Sequence, residues 1–284
     1  MRPRAVLITG ASTGIGAACA TFLAESGYHV YAGYRTLPET PSAERITPVL
    51  LDVCSADDWQ AVTALIAEHE PEQGLYALIN NAGIGLGGPI EYLPLERFRS
   101  QFEVNYFAVI QGIQTCLPLL RQGSPGRIVN MSSVNGKITT PFLSPYCSSK
   151  FALESLTEAL RLELWPWQIY CSLIEPGVIR TPIFQKSRVL FSALKQDLPP
   201  QALERYADVF ASFERALDRI GTKGTAPEVV AQVVGKVLSA QRPRLRYGVG
   251  KDAKIALLLR KLLPDALIEK MLLKFSVVRK TRSR

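Results

Sequence analysis

The segment TGASTGIG, from Thr9 to Gly16, follows a short apolar run and precedes a stretch with helical periodicity. Three glycines between a strand and a helix permit a tight turn and a close approach of the backbone to a ligand. The new helix then offers free N–H groups and the positive end of its dipole to a diphosphate. We therefore predict a dinucleotide site here, with hydroxyl donors among its residues, which are Gly10, Ser12, Thr13, Gly14, Ile15 and Gly16.

Apolar runs and helical patterns alternate along the chain from this loop onward. The runs predict strands at 5–9, 28–34, 47–53, 76–83, 126–133 and 169–177, and a short strand near 244–250. The helical patterns cover 15–26, 57–69, 95–120, 145–165 and 227–240. Strands that are separated by helices pair in parallel through right-handed crossovers, so we predict an α/β fold with a doubly wound parallel sheet. We place it in one domain, residues 1–250, with a C-terminal helical extension over 251–284.

Composition and the N-terminus limit the class of protein. The 284 residues are 47% hydrophobic, which is ample for one continuous core. The start, MRPRAVLITG, enters a strand almost directly, and no apolar stretch approaches the roughly 18–20 residues of a membrane span. Five scattered cysteines fit free thiols in a reducing compartment, and two histidines exclude a His-rich metal site. We expect a cytoplasmic protein that is not secreted and binds no metal.

The net charge of +8 is concentrated at the C-terminal end. From Gln241 onward the chain has 13 basic and 3 acidic residues, which leaves a net charge of −2 for the first 240 residues. Ile255, Leu258, Leu259 and Leu262 fall on one face of a helix that Pro264 should break. A basic amphipathic helix can make peripheral contact with an anionic membrane surface; packing on the body or on another subunit, or a solvated end, are the alternatives. No recognition motif supports a nucleic-acid partner.

The segment SPYCSSKFALE places Tyr146 one helical turn before Lys150. Reduction of a carbonyl by a hydride requires a proton for the developing alkoxide. A phenol has a reference pKa near 10, and a cation one turn away favours the phenolate and should lower that pKa. Ser133, at the end of a predicted strand, can hydrogen-bond the substrate oxygen, and its neighbour Ser132 is the competing candidate.

Several motifs stand in register over residues 4–182. The loop has the spacing G-x-x-x-G-x-G, NNAG follows the fourth strand, and NMSS ends the fifth strand 13 residues before Tyr146. EPGVIRT closes the sixth strand. Together they resemble the short-chain dehydrogenase/reductase family, and the sequence around Tyr146 is most similar to its hydroxysteroid and retinol dehydrogenase branch. A second Tyr–Lys pair with the same spacing, Tyr247 and Lys251, lacks this context, and we interpret it as structural.

The resemblance implies a Rossmann-type sheet and a role for each site residue. Tyr146 would be the general acid/base, Lys150 would also bind the nicotinamide ribose, and Ser133 would hold the substrate oxygen. Asn105 would anchor a water in a proton relay to Lys150. Tyr146 and Lys150 would also contact the cofactor, as would Asp52, Val53, Asn81, Ala82, Gly83, Pro176, Gly177, Val178 and Thr181.

The end of the second predicted strand indicates which dinucleotide is used. An acidic residue there would bind the ribose hydroxyls of NAD, whereas an arginine accommodates the 2′-phosphate of NADP. Tyr34 occupies the position of the acidic residue, and Arg35 follows it. Since a guanidinium suits phosphate geometry, we predict NADP(H); a solvated loop charge is the alternative for Arg35.

A segment rich in apolar residues, 183–222, follows the sixth strand, where the family places its mobile substrate loop. With Phe142 and Leu143 it favours a bulky lipophilic substrate such as a steroid, a retinoid or a lipid carbonyl. We predict substrate contacts from Ser133, Phe142, Leu143, Tyr146 and Phe184. The alternative is that part of this apolar set belongs to the ordinary hydrophobic core.

These observations predict an NADP(H)-dependent oxidoreductase that interconverts a carbonyl and a primary or secondary alcohol on a lipophilic substrate. One alternative is a 3-oxoacyl or small-carbonyl reductase. Another is a non-catalytic dinucleotide sensor or scaffold at a membrane surface, although such a protein needs no proton donor. The resemblance also implies a homodimer or homotetramer.

Overall fold

The computed structural model describes residues 3–39, 43–211, 214–215 and 224–275. Its seven strands form one parallel sheet in the order β3-β2-β1-β4-β5-β6-β7. They are β1 Ala5–Ile8, β2 His29–Tyr34, β3 Ile46–Leu50, β4 Ala77–Asn80, β5 Arg127–Met131, β6 Tyr170–Pro176 and β7 Arg246–Val249. The predicted fold, a single doubly wound domain, is confirmed. The strand order reverses between β1 and β4, which makes the carboxyl ends of these two strands a topological switch point.

Helices cover both faces of the sheet and continue beyond it. They are α1 Gly14–Glu25, α2 Ala56–His69, α3 Leu95–Phe102, α4 Ala108–Gln122, α5 Ser144–Glu163, α6 Ile183–Asp197, α7 Pro200–Arg205, α8 Pro227–Ser239, α9 Lys251–Leu262 and α10 Asp265–Phe275. A π-helical turn, Glu103–Phe107, joins α3 to α4. The long helix predicted at 95–120 is therefore present, but this turn interrupts it.

Two hydrophobic layers enclose the sheet. One face packs on α1 and α8, and the other packs on α2, α4 and α5, where Trp59 is the largest fully buried side chain. A β-carbon at Gly112 of α4 would lie 2.5 Å from the Trp59 ring, so α2 and α4 approach each other closely there. Burial on both faces explains why the strands read as continuous apolar runs rather than as alternating ones.

A third, smaller hydrophobic cluster lies apart from the sheet and contains Leu93, Phe191, Leu194, Leu198, Ala202 and Phe210. We call it the loop cluster. Phe191, Leu194 and Phe210 belong to the apolar segment that sequence analysis linked to substrate, and here they are buried together in the loop cluster. The ordinary-core interpretation therefore holds for these three residues. Phe213 and the side chain of Phe184 lie outside the described residues.

The C-terminal extension forms two helices, and Pro264 separates α9 from α10 as the sequence predicted. Ile255, Leu258 and Leu262 of α9 are each more than half exposed. Across the described ranges, no helix combines the length and the apolar character needed to cross a membrane.

Candidate active site

The loop after β1 has a backbone that only glycine adopts easily. Gly10 and Gly14 have φ angles of +67° and +61°, in the left-handed region. A β-carbon at Gly10 would lie 2.9 Å from the Cα atom of Ala82, and one at Gly14 would lie 3.0 Å from Cγ2 of Thr181. The loops after β4 and β6 therefore press against the glycine loop.

Hydrogen bonds fasten the loop after β4 to the glycine loop. The Asn81 side-chain amide donates to the carbonyl oxygens of Thr9 and Gly10, at 2.9 and 3.0 Å. The Thr9 hydroxyl accepts from the backbone N–H groups of Asn81 and Ala82, both at 3.0 Å. Thr9 is a positioning residue that sequence analysis missed, although a threonine at the carboxyl end of the first strand was the available signal.

The start of α1 fits a dinucleotide diphosphate. Thr13 precedes the helix without a side-chain capping bond, so the first N–H groups of α1 have no side-chain acceptor. Ser12 and Thr13 are exposed and Ile15 is partly exposed, whereas Gly16 is buried against the Gly10 carbonyl. Such a helix start with neighbouring hydroxyls is suited to an anion.

The carboxyl ends of β2 and β3 lie beside this loop. Tyr34 ends β2, and Arg35 is exposed just beyond it. Arg35 is near enough to Cys54, which follows β3, for its charge to oppose the rise that burial and Asp52 cause in the pKa of that thiol. The Asp52 carboxylate accepts from the Cys54 N–H at 3.0 Å, and the Val53 carbonyl accepts from the Trp59 indole at 2.9 Å.

The segment after β6 contains Pro176, Gly177, Val178 and Thr181, and Thr181 packs on Gly14. The Val178 N–H donates to Asp252 Oδ2 at 2.7 Å. Asp252 lies in the first turn of α9, so the C-terminal extension is tied to a predicted cofactor segment. Sequence analysis missed this contact, because 74 residues separate the two partners.

Tyr146 and Lys150 lie in the first turns of α5, next to the end of β5. The buried Lys150 Nζ donates to the Met131 carbonyl at 2.7 Å and is 5.8 Å from the centre of the Tyr146 ring. The Ser133 side chain lies close enough to Tyr146 to oppose the rise in the pKa of its phenol, and its oxygen accepts from the Asn135 N–H at 3.1 Å. Ser132, in contrast, is buried towards Gly136. The structure therefore places Ser133, rather than Ser132, beside the phenol.

Asn105 lies in the π-helical turn and is buried. Its oxygen accepts from the Ile84 N–H at 2.9 Å, while its amide donates to the Ile84 carbonyl at 3.0 Å and to Ser149 Oγ at 3.2 Å. Gly83 lies against the same side chain, since a β-carbon there would be 3.2 Å from Asn105 Oδ1. Asn105 thus holds the loop after β4 against α5, and its part in a proton relay stays a prediction.

Burial dominates the electrostatics of the Tyr–Lys pair. It lowers the pKa of Lys150 to about 8, and the charge of Glu154 opposes that change. Burial raises the pKa of Tyr146, and the hydrogen bond from Ser133 only partly offsets the rise. The net shift is therefore opposite to the one that a nearby cation alone would produce, because desolvation disfavours the phenolate.

On the side of the site where we predict the substrate, one residue has a strained backbone conformation. Phe142 has a φ of +66°, which is costly for a bulky side chain. Its carbonyl accepts from the Gly88 N–H at 2.8 Å, and its ring meets that of Tyr206 edge-on with centres 6.1 Å apart. Leu143 lies against Gly87. Phe142 and Leu143 therefore stand between the start of α5, the 87–88 backbone and the loop cluster.

Comparison with known proteins agrees with this arrangement. A family model for the short chain dehydrogenase matches residues 4–189. The chain is 34% identical to the NADPH-dependent 3-dehydrocapnine reductase of Ornithobacterium rhinotracheale, over 95% of this chain and 96% of that one. It is 33% identical to the 3-ketodihydrosphingosine reductase of Bacteroides thetaiotaomicron, over 98% and 100%.

A solved structure of a short chain dehydrogenase/reductase from Burkholderia phymatum, in complex with NAD, has a TM-score of 0.76 at 25% identity and covers 99% of this chain and 98% of that chain. The family model, the two relatives and the shared fold extend over the glycine loop and the Ser–Tyr–Lys group alike. The chain belongs to the short-chain dehydrogenase/reductase family, oxidoreductases that use a nicotinamide dinucleotide and act on CH–OH groups.

Proposed function

We propose that the protein is an NADP(H)-dependent oxidoreductase that interconverts a carbonyl and a primary or secondary alcohol on a lipophilic substrate. The observation that carries this proposal is the contact between the Ser133 and Tyr146 side chains, with the Lys150 ammonium held behind the phenol by the Met131 carbonyl. A nicotinamide dinucleotide supplies the hydride when it is bound. The side chains of the chain then have to orient the carbonyl and deliver a proton to its oxygen.

In the direction of carbonyl reduction, Tyr146 is the proposed proton donor. Because burial raises the pKa of this phenol, Tyr146 keeps its proton near neutral pH. The Ser133 hydroxyl donates to the substrate oxygen, and the Tyr146 hydroxyl gives up its proton as negative charge develops there. The Lys150 ammonium then stabilises the phenolate that is left.

NADP(H) is the cofactor that the chain supports best. The end of β2 has no carboxylate to bind ribose hydroxyls, and the exposed Arg35 can pair with a phosphate. The name of one close relative includes NADPH dependence. Since a solved relative binds NAD, the choice has to be measured with both dinucleotides.

The proposed substrate is a ketone on a long aliphatic chain. Phe142 and Leu143 directly precede the helix that carries Tyr146, and the Phe142 ring meets Tyr206, which packs on the loop cluster. This apolar surface at the start of α5 supports the proposal. One relative is named for reduction of 3-ketodihydrosphingosine, a long-chain 3-ketone. A steroid, a retinoid and a short 3-oxoacyl compound are the competing substrates.

The test is a substrate panel that includes a long-chain 3-keto amine, a steroid ketone, retinal, a short 3-oxoacyl thioester and a small ketone, each with NADPH and with NADH. We expect turnover of a lipophilic carbonyl with NADPH at a higher kcat/KM than with NADH. Preference for the short thioester or the small ketone would overturn the lipophilic assignment. Tight NADPH binding without turnover of any compound would favour the sensor hypothesis.

The C-terminal extension is proposed to rest on an anionic lipid surface. Ile255, Leu258 and Leu262 are 59%, 56% and 66% exposed, and in α10 Leu267 and Leu273 are 46% and 54% exposed. The same helices carry six basic residues, which are Lys251, Lys254, Arg260, Lys261, Lys270 and Lys274. Exposed leucines can enter the apolar part of a lipid bilayer, while the neighbouring basic residues pair with its anionic head groups.

We also propose that the protein is a homodimer or homotetramer assembled through its long helices. Phe107, which ends the π-helical turn before α4, is 51% exposed, and Phe151 and Leu162 on α5 are 41% and 77% exposed. Large apolar side chains on neighbouring helices are typical of a subunit interface. Light scattering after gel filtration measures the state directly, and a monomer would contradict the proposal.

A further inference from the structure

A buried pair of carboxyl groups lies behind Lys150. Glu154 is one helical turn beyond Lys150 on α5, and Glu175 lies on β6, to which α5 is packed. Each residue is 2% exposed. Arg246 Nε lies within 4 Å of both carboxylates, so two acidic groups from different elements meet inside the protein next to the site.

The contacts of this pair are incomplete without a shared proton. Oε1 of Glu154 and Oε1 of Glu175 are both buried, and neither has a hydrogen-bond partner. Ionised carboxylates only accept hydrogen bonds, so two of them side by side repel each other, and these two Oε1 atoms lack a donor. One proton held between them removes both problems, as in other carboxyl pairs that titrate as a unit.

The surrounding charges balance when that proton is present. Glu154 Oε2 lies 3.1 Å from Lys137 Nζ and 2.9 Å from Arg246 Nε, and this arginine nitrogen is 3.7 Å from Glu175 Oε1. Glu158, which is half exposed, pairs with Arg246 and lies 3.9 Å from Lys137. Two cations then face Glu158 and one singly charged carboxyl pair, which makes the cluster neutral apart from Lys150.

We propose that Glu154 and Glu175 share one proton near neutral pH and are positioning residues that keep the catalytic Lys150 in its ammonium form. This inference rests on the proposed function of Lys150. Glu154 supplies a negative charge one helical turn from the ammonium. When the shared proton leaves to solvent as the pH rises, the pair gains a second negative charge and holds the ammonium more strongly.

The pKa of Glu175 lies just below that of Lys150, and this order decides what the carboxyl pair does for the lysine. Burial, followed by the charge of Glu154, raises the pKa of Glu175 to about 7. Burial lowers the pKa of Lys150 to about 8 even with the opposing charge of Glu154. The pair therefore gains charge just below the pH at which burial would remove the proton of Lys150, and the lysine stays charged over a wider pH range.

The kinetic test is the pH profile of kcat/KM for NADPH-dependent carbonyl reduction. Because the pKa of Tyr146 is raised, the alkaline limb reports the loss of the Lys150 proton. Glu154→Gln should move that limb down by about one pH unit, since it removes a nearby opposite charge. Glu175→Gln should move it less, because its amide donates to Glu154 as the protonated carboxyl does.

Glu158→Gln is the matched control. It removes a carboxylate from the same ion cluster and the same helix face, but this carboxylate is half exposed and lies two turns from Lys150. Its alkaline limb should stay close to that of the wild type. Equal shifts in Glu154→Gln and Glu158→Gln would overturn the proposal, because the effect would then be one of overall charge.

A spectroscopic titration tests the shared proton without turnover. In protein labelled with 13C at the glutamate carboxyl carbon, one signal should titrate near neutral pH in the wild type and disappear in Glu175→Gln. If every glutamate signal titrates near the reference pKa of about 4.3, the pair holds no shared proton and the proposal fails. This readout decides the question even where Glu154→Gln does not fold or where no substrate is turned over.

Discussion

At the scale of single residues, the proposed chemistry depends on one phenol whose surroundings oppose its ionisation. Burial raises the pKa of Tyr146, and Ser133 and Lys150 provide the groups that stabilise its anion. A donor that keeps its proton until the substrate oxygen requires it is suited to reduction. Two substitutions test this residue-level account.

Tyr146→Phe should lower kcat by about 10²–10⁴-fold, because it removes the proton donor and keeps the ring. NADPH affinity should change little, and both quantities can be measured by steady-state turnover and by fluorescence titration of NADPH. Tyr247→Phe is the control, since Tyr247 heads the other Tyr–Lys spacing and its hydroxyl accepts from the Arg244 N–H. Substantial turnover by Tyr146→Phe would remove this residue from the mechanism.

Arg35→Asp should reverse the cofactor preference, because a carboxylate repels a phosphate and can accept from ribose hydroxyls. A hydrogen bond to a charged group contributes about 1.5–3 kcal/mol, so kcat/KM for NADPH relative to NADH should fall by at least about 10-fold. Arg99→Asp changes the charge equally on the exposed surface of α3 and should leave the ratio unaltered. A constant ratio in Arg35→Asp would mean that another residue binds the phosphate.

At the scale of elements, the site is held by loops that follow different strands. The loop after β1 is fastened to the loop after β4 through Thr9 and Asn81, and the π-helical turn brings Asn105 against the same loop. A π-helical turn within a long helix often marks a functional position, and here it carries a predicted site residue. Tyr247 and Lys251, in contrast, belong to a strand and to the following helix, so their spacing places them on no common helix face.

Thr9→Val tests this fastening. The substitution keeps the shape of the side chain but leaves two backbone N–H groups, those of Asn81 and Ala82, without their acceptor. We expect the free energy of unfolding to fall by about 1–3 kcal/mol and NADPH binding to weaken. Urea unfolding and NADPH titration measure the two effects, and Thr9→Ser, which keeps the hydroxyl, should restore most of both. Wild-type values in Thr9→Val would show that the loops hold each other by packing alone.

At the scale of the whole molecule, the C-terminal extension and the sheet are coupled. Asp252 connects the start of α9 to the Val178 N–H, next to the glycine loop, while the exposed leucines of α9 face away from the core. A membrane or a partner that binds α9 therefore contacts a helix that one hydrogen bond, from the Val178 N–H to Asp252, ties to the predicted cofactor segment.

Leu258→Glu tests the proposed lipid contact. It places a negative charge on the exposed face of α9, so co-sedimentation with anionic phospholipid vesicles should fall by about tenfold or more. Leu162→Glu makes the same change on α5 and should alter the oligomeric state but not the vesicle binding. If the wild type fails to bind anionic vesicles, or if Leu258→Glu binds them equally well, α9 has another partner.

Local patterns in the sequence determined much of the fold and part of the site. Continuous apolar runs and helical periods predicted the order of strands and helices, because backbone hydrogen bonding imposes those periods on short segments. The spacing of Tyr146 and Lys150 placed both on one helix face for the same reason. The glycines of the first loop predicted its backbone, since few other residues adopt its dihedral angles.

Only the tertiary structure decided how these segments act on one another. The contacts of Thr9 with Asn81, of Asp252 with Val178 and of Glu154 with Glu175 join residues that are far apart in the chain, and no local period specifies them. The direction of the pKa shift of Tyr146 was also decided at this level. The free energy of a buried charge depends on the groups that surround it in space, and these are fixed only when the sheet, α5 and the loops have packed together.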